Sequence, residues 1–430
     1  MPNSAGRYDV ARLCGSAGQD FAMSREEHTA DPTAESTDPP GCWTGLAVLA
    51  TAMLLGMTTW FSATAVVPQL QAVWVISSGQ AAWLTIAVQL GFVVGALGSA
   101  ILNIADLVSP RRLMLYGATG AAVTNALLLA SPDVDVAIVL RGLTGMFLAG
   151  VYPPAMKAMS TWFRFKRGTA LGVMVGALTL GSATPHLVNG LGGLQWQLVI
   201  AVTSLLTLTG GLLAEVVGSD GPFPFPKGRF DPHMAWRVFT DRGVLFASLG
   251  YFGHMWELYA MWAWFSVFLG DTLTRHGIDC AGRWSAVGTF AVIGIGAIGC
   301  WLGGILGDRL GRVRATILAM GISGACALGI GFLQTSPIPV ILVVGLIWGF
   351  WVVADSAQFS TAVTELGRQD YVGTALTLQL AIGFILTIPT IWLIPLVAES
   401  IGWRFAFAIL ALGPVAGIMA MWQLRTRHAP

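Results

Sequence analysis

Residues 284–334 read WSAVGTFAVIGIGAIGCWLGGILGDRLGRVRATILAMGISGACALGIGFLQ. Every charge in this stretch, Asp308, Arg309, Arg312 and Arg314, falls inside one seven-residue window. On either side lies an apolar run of about 20 residues, the length a helix rising 1.5 Å per residue needs to cross hydrocarbon. The stretch therefore reads as two membrane-crossing helices joined by a short charged turn. The same pattern continues along the chain and predicts twelve spans, at roughly 43–66, 83–105, 112–130, 136–160, 168–190, 196–217, 243–269, 284–306, 315–334, 340–362, 372–397 and 403–424. Composition agrees: of 430 residues 55% are hydrophobic and only 10% charged, with a mean hydropathy of +0.71. Soluble domains carry roughly 25% charged residues. A soluble enzyme, a disulfide scaffold and a disordered regulator are excluded, and the fold class is an all-α polytopic membrane protein.

The net charge of +1 offers no basic field for nucleic acid. The five cysteines are scattered without a CxxC pair, so neither a structural disulfide nor a zinc site is expected. Residues 1–42 hold seven acids and three arginines, with no apolar run and no signal-peptide plan. They are expected to be a disordered cytosolic tail. One long break, 218–242, is rich in Pro and Phe and reads as a cytosolic linker between a bundle at 43–217 and a bundle at 243–424, with 425–430 a second tail. With a cytosolic N-terminus, 18 of the 23 Lys and Arg fall on the cytosolic side. The positive-inside rule then places both termini in the cytosol, and the membrane expected is a bacterial inner one.

The halves repeat. Gly168-Thr169-Ala170-Leu171 returns as Gly373-Thr374-Ala375-Leu376, 205 residues later, and Trp196 returns as Trp403, 207 later. Asp106 with Arg111 and Arg112 mirrors Asp308 with Arg309 and Arg312. Two pseudo-symmetric six-helix bundles around one path is a transporter plan.

At these residues the chain resembles the major facilitator superfamily, over about 43–424. Gly304-x-x-x-Asp308-Arg309-x-Gly311-Arg312-x-Arg314 is similar to that superfamily's signature cytosolic loop, a gate in which a carboxylate and guanidiniums latch helix ends. The first-half copy, Asn103 to Arg112, lacks both glycines and carries one extra residue. Arg141-x-x-Thr144-Gly145 resembles a second motif whose arginine is implicated in proton coupling, with Thr in place of Gln. The drug-antiporter signature of span 5 is incomplete, because Ser182 rather than Pro follows Gly181. Residues 256–262 and 354–360 look most like bacterial carriers grouped with the cyanate and nitrate types.

An ionisable residue deep in a span is costly and marks a functional hypothesis by default. Glu257 and His254 share a face of span 7, and Asp355 lies in span 10. These three, with Arg141, are the proton-coupling candidates. The competing reading has Glu257 and His254 bonding each other and locking span 7. Arg141 and Lys157 are the cations that would meet an anionic substrate group; alternatively they are an interface anchor and a snorkelling charge. Tyr152-Pro153-Pro154 is expected to break span 4 and free carbonyls for a neighbour or a water-filled cavity. Tyr152, Trp60, Thr59, Gln358 and Gln379 are candidate specificity residues, and Asp308, Arg309, Gly311, Arg312, Asp106 and Arg112 form the expected cytosolic gate.

No HExxH, GxSxG or GxxxxGK[ST] occurs, so enzymatic chemistry and ATP-driven pumping are not expected, and neither is a cofactor or a metal. The expected function is proton-coupled secondary transport of a small polar or anionic organic solute by a monomer. Efflux of an amphiphilic or cationic compound is the alternative, and a non-transporting sensor a remote one.

Overall fold

The computed structural model describes residues 37–224, 239–368 and 371–428. Residues 1–36 of the expected tail and 225–238 of the expected linker lie outside it. Asp38–Pro430 forms one compact unit, all helical in its described residues.

Ten helices among the described residues are long and apolar enough to cross a membrane, from Ser78–Ile101 to Trp403–Arg425. The two other expected spans are present but atypical. Span 7, Arg242–Arg275, runs 34 residues without a break, its apolar character diluted by His254, Glu257 and the surrounding Trp and Tyr. Span 1 begins with Cys42–Gly56, whose 15 residues reach only about 22 Å. The chain then leaves the helix through 57–63, resumes as a short 3-10 turn at Thr64–Val66 and continues in Val67–Trp74.

Local chemistry sets the helix starts. Ser77 and Gln80 form a capping box ahead of Ser78–Ile101. The Asp133 side chain accepts from the Val136 N–H, and Asp241 Oδ1 accepts from the N–H groups of Gly243 and Val244. Span 4 breaks as expected but earlier than its prolines. Val134–Leu148 ends, and Tyr152–Met159 starts with proline in its first turn, where the missing N–H costs nothing. The carbonyls of Phe147 and Leu148 are taken by tighter turns from Gly150 and Val151 (2.8 and 2.9 Å), so local backbone satisfies them instead of a cavity. Span 10 breaks at Asp355, between Ile338–Ala354 and Ser356–Leu366. Gly150 and Asp355 are 205 residues apart, the offset of the sequence repeat.

Glycines let the spans of each half meet backbone to backbone. A Cβ on Gly91 would lie 1.8 Å from the Gly142 carbonyl oxygen, and one on Gly145 2.0 Å from that of Val88, so spans 2 and 4 touch directly. Spans 8 and 10 repeat the arrangement, with Gly299 against Phe350, Gly303 against Ala354 and Gly349 against the Val292 oxygen of span 8. The four described cysteines, Cys42, Cys280, Cys300 and Cys326, are free.

Candidate functional site

A cavity of about 550 Å³ opens between the halves. Its mouth carries Arg164, Arg167, Asp308, Arg312 and Glu365, and its walls include Tyr152, Met156 and Leu171 from the first half and Leu380 from the second. It shares Tyr152, Met156, Leu171, Ser360 and Leu380 with a narrower inner section of about 70 Å³. There the wall becomes Tyr251, His254, Tyr259, Trp262, Ser356 and Phe384.

Beyond this section lies a cluster of aromatic side chains. Trp60, in the unwound part of span 1, stands 4.9 Å from Phe92, 5.5 Å from Phe384 and 6.0 Å from Tyr259, ring centre to ring centre. Phe61 packs 5.8 Å from Trp262. Rings from spans 1, 2, 7 and 11 thus pack together across the two halves, a contact made of side chains that rotamer changes can alter. The indole N–H groups of Trp60 and Trp262 have no acceptor among the described residues.

The inner wall carries the imidazole of His254. Its Nδ1 lies 2.8 Å from Asp355 Oδ1, and both side chains are 2% exposed. The contact is off-line for a hydrogen bond, since Oδ1 has no aligned donor. The other ring nitrogen, Nε2, is 2.9 Å from Ser356 Oγ. The break in span 10 makes this possible: with Asp355 at the helix end and Ser356 opening the next, adjacent residues present a carboxylate and a hydroxyl to one imidazole.

Glu257 is placed differently. Trp348 Nε1 donates to its Oε1 at 2.6 Å and Ser323 Oγ donates to its Oε2 at 2.9 Å. It is therefore held by spans 9 and 10 inside the second half and lines neither section of the cavity. The alternative in which Glu257 and His254 bond each other is replaced: each finds partners on other helices. Neither Ser323 nor Trp348 was a sequence candidate.

Arg141 is fully enclosed within the first half. Its Nη1 donates to the Thr59 carbonyl (2.9 Å), Ser62 Oγ (3.1 Å) and Asn125 Oδ1 (3.0 Å), its Nε to the Leu84 carbonyl (3.2 Å), and its Nη2 to the Trp60 carbonyl. No carboxylate pairs with it among the described residues. The guanidinium thus replaces the helical donors that span 1 loses where it unwinds, and it lines neither section of the cavity. Asn125 completes the network, accepting from Ser62 at 2.6 Å and donating to Ser204 at 2.9 Å.

The remaining candidates divide. Tyr152 lines both sections. Lys157 is half-buried and lines neither. Thr59 is buried, accepting from the Thr207 hydroxyl at 3.4 Å. Gln379 is buried with no partner for its Nε2 among the described residues. Gln358 belongs to the latch: its Nε2 donates to the Gly303 carbonyl (3.1 Å) and its Oε1 accepts from Arg312 (3.0 Å).

The latch itself centres on Arg312, 2.7 Å from Asp308 and 3.3 Å from Glu365. Gly311 supplies the φ of +84° that turns the chain between spans 8 and 9. A Cβ on Gly168 would meet both Asp308 oxygens at 3.0 Å, so that carboxylate rests on the first turn of span 5, in the other half. A helix N-terminus favours such a charge. Arg309 is exposed, with no ion pair among the described residues. In the first half, Arg111 reaches Asp220 (3.3 Å) and the Gly218 carbonyl (2.8 Å), and Arg112 reaches Glu215 (3.5 Å), so both basic residues tie to the end of span 6. The Asp106 side chain lies outside the described residues.

At the rim, Asp38 accepts from the N–H groups of Arg164, Phe165 and Lys166 at 2.8, 3.0 and 3.0 Å. Partial burial pushes its carboxyl up, but the three donors and the Lys166 charge outweigh that and hold it below its ordinary 3.8.

A family model of the Major Facilitator Superfamily matches residues 48–390, and the chain belongs to that superfamily. That superfamily is one of membrane transporters, not of enzymes. Among curated proteins it is similar to the multidrug efflux pump LfrA of Mycolicibacterium smegmatis, 30% identical over 144 residues covering 33% of this chain and 28% of the pump. The puromycin resistance protein pur8 of Streptomyces alboniger is 31% identical over 181 residues, 40% of this chain and 35% of that protein. The chain thus matches only about a third of each relative's length. An MFS-type transporter of Aspergillus fumigatus, hasB, is 24% identical over 301 residues, 64% and 63% of the two chains. Among solved structures, a bacterial homolog of the human lysosomal transporter Spinster, in an inward-facing and unoccupied conformation, aligns with a TM-score of 0.62. It covers 91% of this chain and 96% of its own at 15% identity, a likeness of fold.

Proposed function

We propose that this protein couples proton movement to transport of an amphiphilic compound through the cavity between its halves. The observation that carries this reading is the inner wall, an aromatic surface with one imidazole, backed by a buried carboxylate. An aromatic cage accepts a planar or cationic amphiphile by stacking and cation–π contact, worth roughly 0.5–2 kcal/mol per ring. In this reading protonated His254 beside Asp355 is an internal ion pair; with the proton gone, the buried Asp355 charge behind the His254 wall stands uncompensated and attracts a cation into the cavity. Proton and substrate then compete for one site, the condition for exchange. The coupling role passes in this reading from Glu257 and Arg141 to His254 and Asp355. The names of the two bacterial relatives, a multidrug pump and a puromycin resistance protein, support the substrate class. In the orientation expected from the Lys and Arg distribution, the mouth faces the cytosol of a bacterial inner membrane, and the protein works as a monomer.

A second reading, a small anion, is favoured by Arg164 and Arg167 at the mouth and by the likeness of 256–262 and 354–360 to cyanate- and nitrate-type carriers. Proteoliposomes with a trapped pH dye decide between them. Cationic amphiphiles, organic acids and inorganic anions are added in turn, to wild type and to His254→Gln. Proton flux driven by the amphiphiles and lost in His254→Gln is the expected result. Flux driven by anions alone overturns the substrate assignment, and flux undiminished in the variant overturns the proton site.

A further inference from the structure

We propose that a separate pocket, behind the latch in the second half, holds the headgroup and upper acyl chain of an anionic phospholipid. The pocket encloses about 420 Å³ where the ends of spans 9, 10 and 12 meet. Three guanidiniums line it, Arg312, Arg314 and Arg425, against one carboxylate, Glu365. Glu365 is already engaged by Arg312 at 3.3 Å, which leaves Arg314 and Arg425 exposed with no acidic partner among the described residues. The rest of the wall is apolar, including Leu310, Val313, Leu366 and Leu424.

The combination selects the ligand class. A soluble phosphate is satisfied by guanidiniums and gains nothing from leucines, whereas a lipid presents an anionic head and an alkyl chain together. The pocket lies at helix ends, where span 9 starts with Arg312 and span 10 stops at Leu366, which is the depth of a phospholipid headgroup. Basic pockets between helices at the cytosolic boundary are the sequence-readable form of anionic lipid sites. The inference concerns lipid and not substrate, and it stands whether or not the cavity takes an amphiphile.

Native mass spectrometry tests it on the full chain, extracted from vesicles of phosphatidylcholine with phosphatidylglycerol. Wild type should retain phosphatidylglycerol over phosphatidylcholine. Arg314→Gln with Arg425→Gln should weaken that retention by about fivefold per charge, on the order of 25-fold for both. Arg314→Lys with Arg425→Lys keeps the charges and should keep the lipid, which separates lost binding from lost folding. Equal retention of the two lipids by wild type overturns the proposal. So does unchanged phosphatidylglycerol retention in the double Gln variant. Displacement of the lipid by millimolar inorganic phosphate would reassign the pocket to a soluble anion and overturn it as well.

Discussion

Replacing Arg141 by Met separates a structural cation from a proton-coupling one. The side chain is 0% exposed, and Met fills much of its volume, so the cavity left behind is small. What changes is polar satisfaction. The Thr59 carbonyl keeps the Ser62 backbone N–H (3.4 Å), and Asn125 Oδ1 keeps the Ser62 hydroxyl at 2.6 Å. The Leu84 carbonyl sits inside Ser78–Ile101 and keeps its helical donor. The Trp60 carbonyl, in the unwound segment, has no second donor among the described residues. One orphaned buried carbonyl costs about 1–3 kcal/mol, and the loss of several charge-assisted bonds adds to it. Relief of a buried charge offsets part of the sum, leaving a net loss of about 2 kcal/mol. The assay is the thermal unfolding midpoint of the detergent-solubilised protein beside proton flux per folded molecule in vesicles. Arg141→Met should melt several degrees below wild type. Arg141→Lys, with three donors for five acceptors, should fall between them and keep its ratio of protons to substrate. A Met variant as stable as wild type but without proton flux would refute the reasoning and return Arg141 to the coupling path.

Three further outcomes follow from the same geometry. Glu257→Gln should leave substrate-driven proton flux unchanged and cost about 1 kcal/mol or less: the amide oxygen accepts from Trp348, while Ser323 turns its hydroxyl to the Met320 carbonyl, already 3.3 Å away. Abolished flux in that variant would contradict the assignment to His254 and Asp355. Gly349→Ala should destroy the monodisperse yield on size-exclusion chromatography, because its Cβ would lie 1.7 Å from a backbone oxygen and overpacking costs about 1–3 kcal/mol or more. Gly98→Ala, where a Cβ meets nothing within 4 Å, should leave the yield intact. Asp38→Asn should speed hydrogen exchange at the amides of Arg164 to Lys166 at neutral pH. Because the Asp38 carboxyl is held below 3.8, its tether is fully present above that value and is lost as pH falls through the lowered one, so the difference between variant and wild type should vanish only in that acidic range. A difference that disappears near neutrality would show that another group titrates.

Apolar run length made the spans legible, and a constant offset made the two halves legible, because membrane insertion and duplication both act along the chain. The latch loop was legible too, since Asp308 and Arg312 lie four residues apart on adjoining helix ends. Partner choice across the bundle was not. His254 pairs with a residue 101 positions away, and nothing local distinguishes Asp355 from Glu257 as its neighbour. A signal did exist: the Pro153-Pro154 mark of the span 4 break, carried forward by the repeat offset of 205, falls on residues 358–359, three to four positions past Asp355. Arg141 reads from the sequence either as a cation on the path or as an anchor, because three of its five partners are backbone carbonyls, which carry no side-chain signature. The hydroxyl run Thr58, Thr59, Ser62 and Thr64 was the one hint that span 1 unwinds there.

The glycine contacts within each half have a consequence for how such a protein can diversify. A backbone oxygen cannot be moved by choosing another rotamer, so Gly91, Gly145, Gly299, Gly303 and Gly349 tolerate almost no drift. The cavity wall is made of side chains, each of which can be exchanged without disturbing a neighbour's main chain. Heritable change is thereby steered away from the frame and toward the lining, and a lineage can acquire a new substrate while keeping the parts that move.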